Sequence, residues 1–258
     1  MSVSLPDSLR WPAIRFVTQD EPFSAASHVG GQPLAPNGFT WPTYGGRPLD
    51  FLLKLDLATF AKLDPGLDLP KAGCLLFFYD TETQPWGFQP EDHGCSAVVY
   101  IEDIDATLPM VAPSGSHTFR RLGLTFEQIV TLPDAWSPRL DQLSLTAEDR
   151  FELNEIHEDS RNIDGQVGGH PSVIQNSMEA ECEMASSGLQ AGTPEAYQSP
   201  EGIQATANAH KWRLLAQVPS IEELDLMWGD SGMIYFWIKE DALQRRDFSQ
   251  CWLVLQCH

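Results

Sequence analysis

The sequence predicts an α+β fold that is β-rich and internally duplicated, with antiparallel sheets and a few peripheral helices. Three observations carry that expectation. First, two solid apolar runs, CLLFFY at 74–79 and MIYFWI at 233–238, each follow directly on a glycine, Gly73 and Gly232. Runs this short, bounded by turn residues, suit strands buried on both faces. Second, residues 122–132 alternate, with Leu122, Leu124, Phe126, Val130 and Leu132 on one side, which is the period of a half-exposed strand. Third, an ordered set recurs along the chain. His28-Val29-Gly30-Gly31-Gln32-Pro33 returns as Gln166-Val167-Gly168-Gly169-His170-Pro171. The apolar pattern of 50–56 returns at 212–218, the Gly73 run at Gly232, and the closing strand 98–101 at 252–255. One long repeat of this kind points to duplication of a β-rich unit rather than to a solenoid.

Taken in order, residues 1–27 read as a peripheral lead-in with Trp11, Ile14, Phe16 and Phe23 available for packing. Strands are expected at 51–56, 74–79, 97–101, 122–132, 212–218, 233–238 and 252–255. A helical turn at 58–62 stops at Asp64-Pro65-Gly66, and a loop over 80–96 carries Pro85-Trp86-Gly87. Thr146 and Asp149 have the spacing of a capping box, with Phe151 and Ile156 giving the helix that follows an apolar face. A second helix is expected over 177–187, with Ser177 as its cap and Gly188 as its stop. Residues 188–208 are small and polar, and read as a long surface loop. The whole chain is expected to be one domain, 1–258, built from two related halves at about 28–135 and 166–258 with a helical connection between them. The 12 residues from 239 to 250 favour antiparallel pairing of the last two strands; a parallel crossover is just long enough to remain the alternative.

Acidic residues number 36 against 16 basic, for a formal charge of −20. Such a surface repels phosphate backbones and anionic lipid, so neither nucleic acid nor a membrane is an expected partner. No run approaches the 18 apolar residues of a membrane span. Five cysteines, none in a C-x-x-C pair, with Cys74 and Cys251 in expected core strands, fit free thiols in a reducing, cytoplasmic setting.

The strings GGQP, LDFLLKLDL, LPKAGCLLFFYD, QPWGFQPEDHG, GGHP, IQNSMEAEC, MWGDSGMIYFWI and the closing LQC resemble the YwqG-like family of bacterial proteins, over about 30–258. The resemblance implies a compact, internally duplicated α+β domain of unknown function. It carries over no catalytic residue, and implies an interaction role of the toxin-immunity kind.

The candidate ligand-binding residues are Trp86, Trp228, Asp230 and Ser231. Trp228-Gly229-Asp230-Ser231-Gly232 is a turn whose glycines would let a ligand reach the backbone, or a structural turn in which Asp230 bonds nearby amides. It is not the G-x-S-x-G of a nucleophile elbow. Its G-D-S-G string also occurs at the serine of chymotrypsin-like proteases, but the chain lacks their upstream His and Asp settings. Trp86 and Trp228 each precede a glycine, as a loop anchor or as a stacking platform for a sugar or partner; Trp237 and Trp252 read as core. Glu91, Asp92, His93 and Cys95 have no second ligand pair at zinc spacing, and Glu102, Asp103 and Asp105 lack calcium-loop spacing. No metal and no cofactor is therefore expected. The function read from these features is a non-catalytic binding or protein-interaction protein for an unknown protein or small ligand. The alternative is a hydrolase-like enzyme with a site between the two halves near Asp230.

Overall fold

The computed structural model describes residues 5–20, 26–159 and 162–258. In chain order the strands and helices are β1 (Trp11–Gln19), β2 (His28–Val29), β3 (Leu34–Pro36), β4 (Thr43–Tyr44), β5 (Arg47–Pro48), β6 (Asp50–Asp56) and α1 (Leu57–Phe60). Then come β7 (Cys74–Tyr79), β8 (Ser96–Ile101), β9 (Thr107–Pro109), β10 (Leu122–Thr131), α2 (Ala147–Asp159), β11 (Gly165–Val167) and α3 (Glu179–Ser186). The chain closes with α4 (Pro194–Gln198), α5 (Pro200–Asn208), β12 (Trp212–Pro219), β13 (Met233–Lys239), α6 (Glu240–Gln244) and β14 (Trp252–Gln256).

Ten strands form one sheet in the order β14-β13-β12-β11-β1-β10-β2-β6-β7-β8. Its described pairings are antiparallel, β13 with β14 included. From the central pair β1–β10 the order runs outward through β2, β6, β7 and β8 on one side. On the other it runs through β11, β12, β13 and β14. The register of β6 on β7 shifts between Phe51 and Leu53, and that of β12 on β13 between Leu214 and Ala216. At each shift the skipped residue offers its carbonyl to a glycine: Gly30 N donates to Leu52 O (2.7 Å), and Gly168 N donates to Leu215 O (3.3 Å).

The apolar runs are buried on both faces. On β7, Leu75, Phe77 and Tyr79 point to the inner core, where they join Ile234, Phe236 and Ile238 of β13 and Leu253 and Leu255 of β14. The outer face of β12–β14 carries Trp212, Leu214, Tyr235, Trp237, Trp252 and Val254, and Met178, Cys182 and Ala185 of the α3 region cover it. The outer face of β6–β8 carries Phe51, Cys74, Leu76, Phe78 and Ile101, covered by Ala35, Phe39, Trp41, Tyr44 and Leu49. Burying one such side chain contributes about 1.5–3 kcal/mol. The sheet curls until it is nearly barrel-shaped. Beyond edge strand β14 lies the 80–95 loop, where Trp86 O accepts from Leu255 N (3.1 Å) and Gly87 O from Trp252 Nε1 (2.8 Å). A Cβ at Gly87 would sit 1.8 Å from Leu253 O, so only glycine lets this loop cover the edge.

Several expectations are corrected. The lead-in is not peripheral: β1 lies at the centre of the sheet, paired along its whole length with β10, and Ile14 and Phe16 are in the core. Phe23 lies outside the described residues. Residues 188–208 are not a loop but hold α4 and α5, each begun by a capping hydroxyl and a proline, Thr193-Pro194 and Ser199-Pro200. Ser177 does not cap α3; its hydroxyl donates to Asp134 (2.7 Å) and the helix starts two residues later. The Thr146–Asp149 capping box is present, with Thr146 N donating to Asp149 (2.8 Å) and Asp149 N to Thr146 Oγ1 (3.1 Å). The apolar face of α2 is different, however: Leu153 is buried and Phe151 is 65% exposed. The main strands form one sheet rather than several. No helix among the described residues is long and apolar enough to cross a membrane.

Candidate functional site

The turn that opens β13 closes a loop over residues 221–232. Ile221 and Leu226 bond each other's backbone, Ile221 N to Leu226 O (2.7 Å) and Leu226 N to Ile221 O (3.1 Å). Leu224, Leu226 and Trp228 then turn into the core, while Met227 between them is 49% exposed. Ser220 staples the loop shut: its hydroxyl accepts from Trp228 N (2.9 Å) and donates to Gly232 O (3.0 Å). Gly232 N donates to Trp228 O (2.8 Å). A Cβ at Gly232 would lie 2.2 Å from Gln256 O, so the turn presses directly on β14.

The loop is also held from the other side of the sheet. Gln84 Nε2 donates to Met227 O (2.9 Å), and Gln84 Oε1 accepts from Gly229 N (3.0 Å). Gln84 does this at φ +46°, a conformation uncommon for a non-glycine residue. Asp225 (φ +53°) and Ser231 (φ +50°) share that left-handed backbone. Three of the four described non-glycine residues with positive φ, all but Arg246, therefore sit on this loop or clamp it. Backbone strain of this kind persists only where the surroundings enforce it, and it gathers at binding and switch regions.

Two cavities flank the loop, and Met227 is in the wall of both. One, of about 330 Å³, has apolar walls from Ile163, Ile174, Pro219, Met227 and Met233, with Ser172, Ser231, Glu222 and His258 among its polar groups. The other, of about 510 Å³, lies between the two sides of the sheet and is walled by Thr81, Gln84, 117–119 and 224–228. The loop is acidic and exposed along its rim: Glu222 lines the smaller cavity and Asp225 the larger, and Glu223 and Asp230 lie on the same loop.

The candidate residues take different places around this loop. Trp228 is fully buried and meets Tyr79 edge to face, with ring centroids 5.7 Å apart. Trp86 is anchored through its backbone, while the residue as a whole is 41% exposed. Ser231 lines the smaller cavity, and both its amide (3.3 Å) and its hydroxyl (3.8 Å) point to Met227 Sδ. Asp230 is exposed, lines neither cavity, and accepts from His258 N through its backbone carbonyl (3.2 Å). Gln84 and Met227 were missed by sequence reading. Nothing local marks Gln84, since its role depends on bonds to residues more than a hundred positions away. Among the described residues no three His, Cys, Asp or Glu side chains gather as a metal-binding group.

Both histidines of the Gly-Gly motifs are buried. His28 bonds Gly30 O (2.9 Å), and its burial lowers its pKa to about 4. His170 bonds Leu9 O (3.0 Å) and stacks on Trp11 at 4.1 Å; burial lowers its pKa to about 3, and Arg139 and Arg213 act in the same direction. Glu179, at the start of α3, is pushed up to about 8, first by burial and then by Asp134.

No curated protein matches this chain. A family match spans residues 27–257, which takes in the sheet from β2 to β14 and leaves out β1. The chain belongs to the family described as "Domain of unknown function (DUF1963)".

Proposed function

We propose that this chain is a non-catalytic binding protein that docks a basic polypeptide segment on the face around residues 221–232. An apolar side chain of the partner enters the cavity of about 330 Å³ beside the Trp228–Gly232 turn. The observation that carries this reading is the gathering of strained backbone at Gln84, Asp225 and Ser231 on one doubly clamped loop. The acidic rim and the formal charge of −20 favour a basic partner, which matches an immunity-like role in which an acidic face covers a basic protein. The half-exposed Met227 and Trp86 suit the apolar centre of such a contact. A hydrolase centred on Asp230 gains less support. The described contact of the Ser231 hydroxyl is a thioether, which is a weak acceptor and not a base.

The same proposal takes the chain as one domain of two related halves, about 28–135 and 166–258. The outward order of strands, the paired register shifts and the matching Gly30 and Gly168 bonds support that reading. The motif strings support a YwqG-like, bacterial origin, and the five free thiols support a cytoplasmic setting.

The test is a peptide array with fixed Lys/Arg flanks and one variable central residue. Apolar centres should be selected, binding should weaken as salt rises, and Met227→Glu should abolish it while Val111→Glu, on an exposed residue that lines neither cavity, should not. Binding that ignores both salt and Met227→Glu would refute the proposal.

A further inference from the structure

We propose that Met227 is a modification site, whose thioether a peroxide oxidises to the sulfoxide, and that this oxidation switches off docking at the smaller cavity. The control of docking rests on the polypeptide-docking reading; the oxidation does not. Met227 is half-exposed and walls both cavities. Of the other methionines among the described residues, Met178, Met184 and Met233 are buried and Met110 is half-buried. Competing thiols are held back as well. Burial keeps those of Cys74, Cys95, Cys182 and Cys251 in their neutral, unreactive form. An oxidant arriving from solvent therefore meets the sulfur of Met227 first.

More than exposure marks this sulfur. Ser231 donates to it twice, from its amide (3.3 Å) and from its hydroxyl (3.8 Å). Both donors belong to one residue, so they occupy one side of the thioether and hold it in one orientation. Ser231 is itself fixed, at φ +50° in the turn that Gly232 N closes on Trp228 O (2.8 Å). The opposite side of the sulfur is left to the oxidant. A sulfoxide sulfur is a stereocentre, so attack from one side gives one of its two epimers.

The chemistry is a two-electron oxygen transfer. A sulfur lone pair attacks a peroxide oxygen, the S–O bond forms as the O–O bond breaks, and the leaving hydroxide takes the proton of the transferred hydroxyl to become water. Sulfur is oxidised and the peroxide is reduced. A dithiol-fed sulfoxide reductase reverses the change, the oxygen leaving as water while the dithiol becomes a disulfide. The product carries a strong acceptor, on the side away from Ser231, in a wall that Ile163, Ile174, Pro219 and Met233 otherwise make apolar. An apolar side chain docking there strips that oxygen of water and offers it no donor, which weakens binding.

The test treats the native protein, and the same protein unfolded in urea, with hydrogen peroxide and follows each methionine by mass spectrometry. In the native protein Met227 should oxidise about ten-fold or more faster than Met110, Met178, Met184 and Met233, and in urea all should react alike. One epimer should dominate at Met227 in the native protein, and the two should be equal in urea. Peptides selected on the untreated protein should bind the oxidised protein about ten-fold or more weakly. The reductase specific for the dominant epimer should restore binding, and peroxide treatment of Met227→Leu should not change that variant's own affinity. Oxidation spread evenly over the methionines, or equal epimers in the folded protein, would overturn the modification site whatever the peptides do. Selective oxidation that leaves peptide binding unchanged would overturn the switch and leave the docking reading standing. An untreated protein that binds no peptide would overturn docking and its control together, with the oxidation site still decided by mass.

Discussion

Phe77 of β7 and Phe236 of β13 meet edge to face in the inner core, with ring centroids 5.0 Å apart and planes 76° to each other. Neither ring has any solvent exposure. This contact joins strands that lie seven places apart in the sheet order, with six strands between them, so it exists only because the sheet curls. Replacing either ring by Ala should cost about 3–5 kcal/mol in chemical denaturation. The double variant should cost less than the sum of the two, by about 0.5–1.5 kcal/mol, because the second truncation no longer removes the aromatic pair. Strict additivity would mean that the two sides of the sheet do not depend on each other here.

Gln84 is both strained and bonded, and two substitutions separate those effects. Gln84→Ala removes the bonds to Met227 and Gly229 and keeps a Cβ at φ +46°. Gln84→Gly removes the same bonds and relieves the backbone. The Ala variant should lose about 1–3 kcal/mol, and the Gly variant should be the more stable of the two. Urea midpoints of the three proteins decide it, and a Gly variant less stable than Ala would show that the positive φ carries no strain.

The parts of the fold legible in the sequence are those in which one segment states its own environment. The runs at 74–79 and 233–238 are apolar at every position because both faces are covered, and no neighbour had to be known to read them. β1 was illegible for the opposite reason. WPAIRFVTQ carries a proline and an arginine, and its place at the centre depends on β10, where Arg15 meets Glu127 at 2.7 Å. α4 and α5 were hidden by small residues, although Thr193-Pro194 and Ser199-Pro200 are start signals in plain view. At the candidate site the turn around Trp228 and Ser231 was visible from its glycines. The clamp by Gln84 and the exposure of Met227 were not, since both arise from the way distant loops meet.

All five cysteines are free, and four of them are buried. Burial raises the pKa of the Cys74 thiol to about 11 and those of Cys95, Cys182 and Cys251 further. A thiol held up in this way reacts slowly, because the thiolate is the nucleophile. A disulfide-exchange reagent should therefore count five thiols in denatured, unreduced protein and far fewer, slowly, in the native state. A denatured count of three or one would contradict the free-thiol assignment.

The buried titratable groups set the pH range of stability, and their signs differ. His28 and His170 ionise near 6.5 when unfolded but only near 4 and 3 when folded. Below 6.5 the unfolded chain binds more protons than the folded one, so stability falls as pH drops from 6.5. His28 alone contributes about 3 kcal/mol between neutrality and its folded midpoint. Glu179 works the other way: its ordinary value is 4.5 and its folded value about 8. Between these the unfolded chain releases a proton that the folded chain keeps, so stability falls as pH rises from 4.5 to 8. From 4.5 to 6.5 the two histidines outweigh Glu179 and the smaller upward shift of Glu181, which burial also raises, and above 6.5 the histidines no longer act. Stability should therefore peak near pH 6.5 and decline on both sides. Glu179→Gln keeps an acceptor for Met178 N, now at 3.2 Å, and removes the titration. It should remove most of the decline between 6.5 and 8, raise stability at pH 8 by about 2–4 kcal/mol, and steepen the acid limb between 4.5 and 6.5, where Glu179 opposes the histidines. Urea midpoints from pH 4 to 9 on both proteins test this. Parallel curves above pH 6.5 would show that Glu179 is ionised in the folded protein throughout that range.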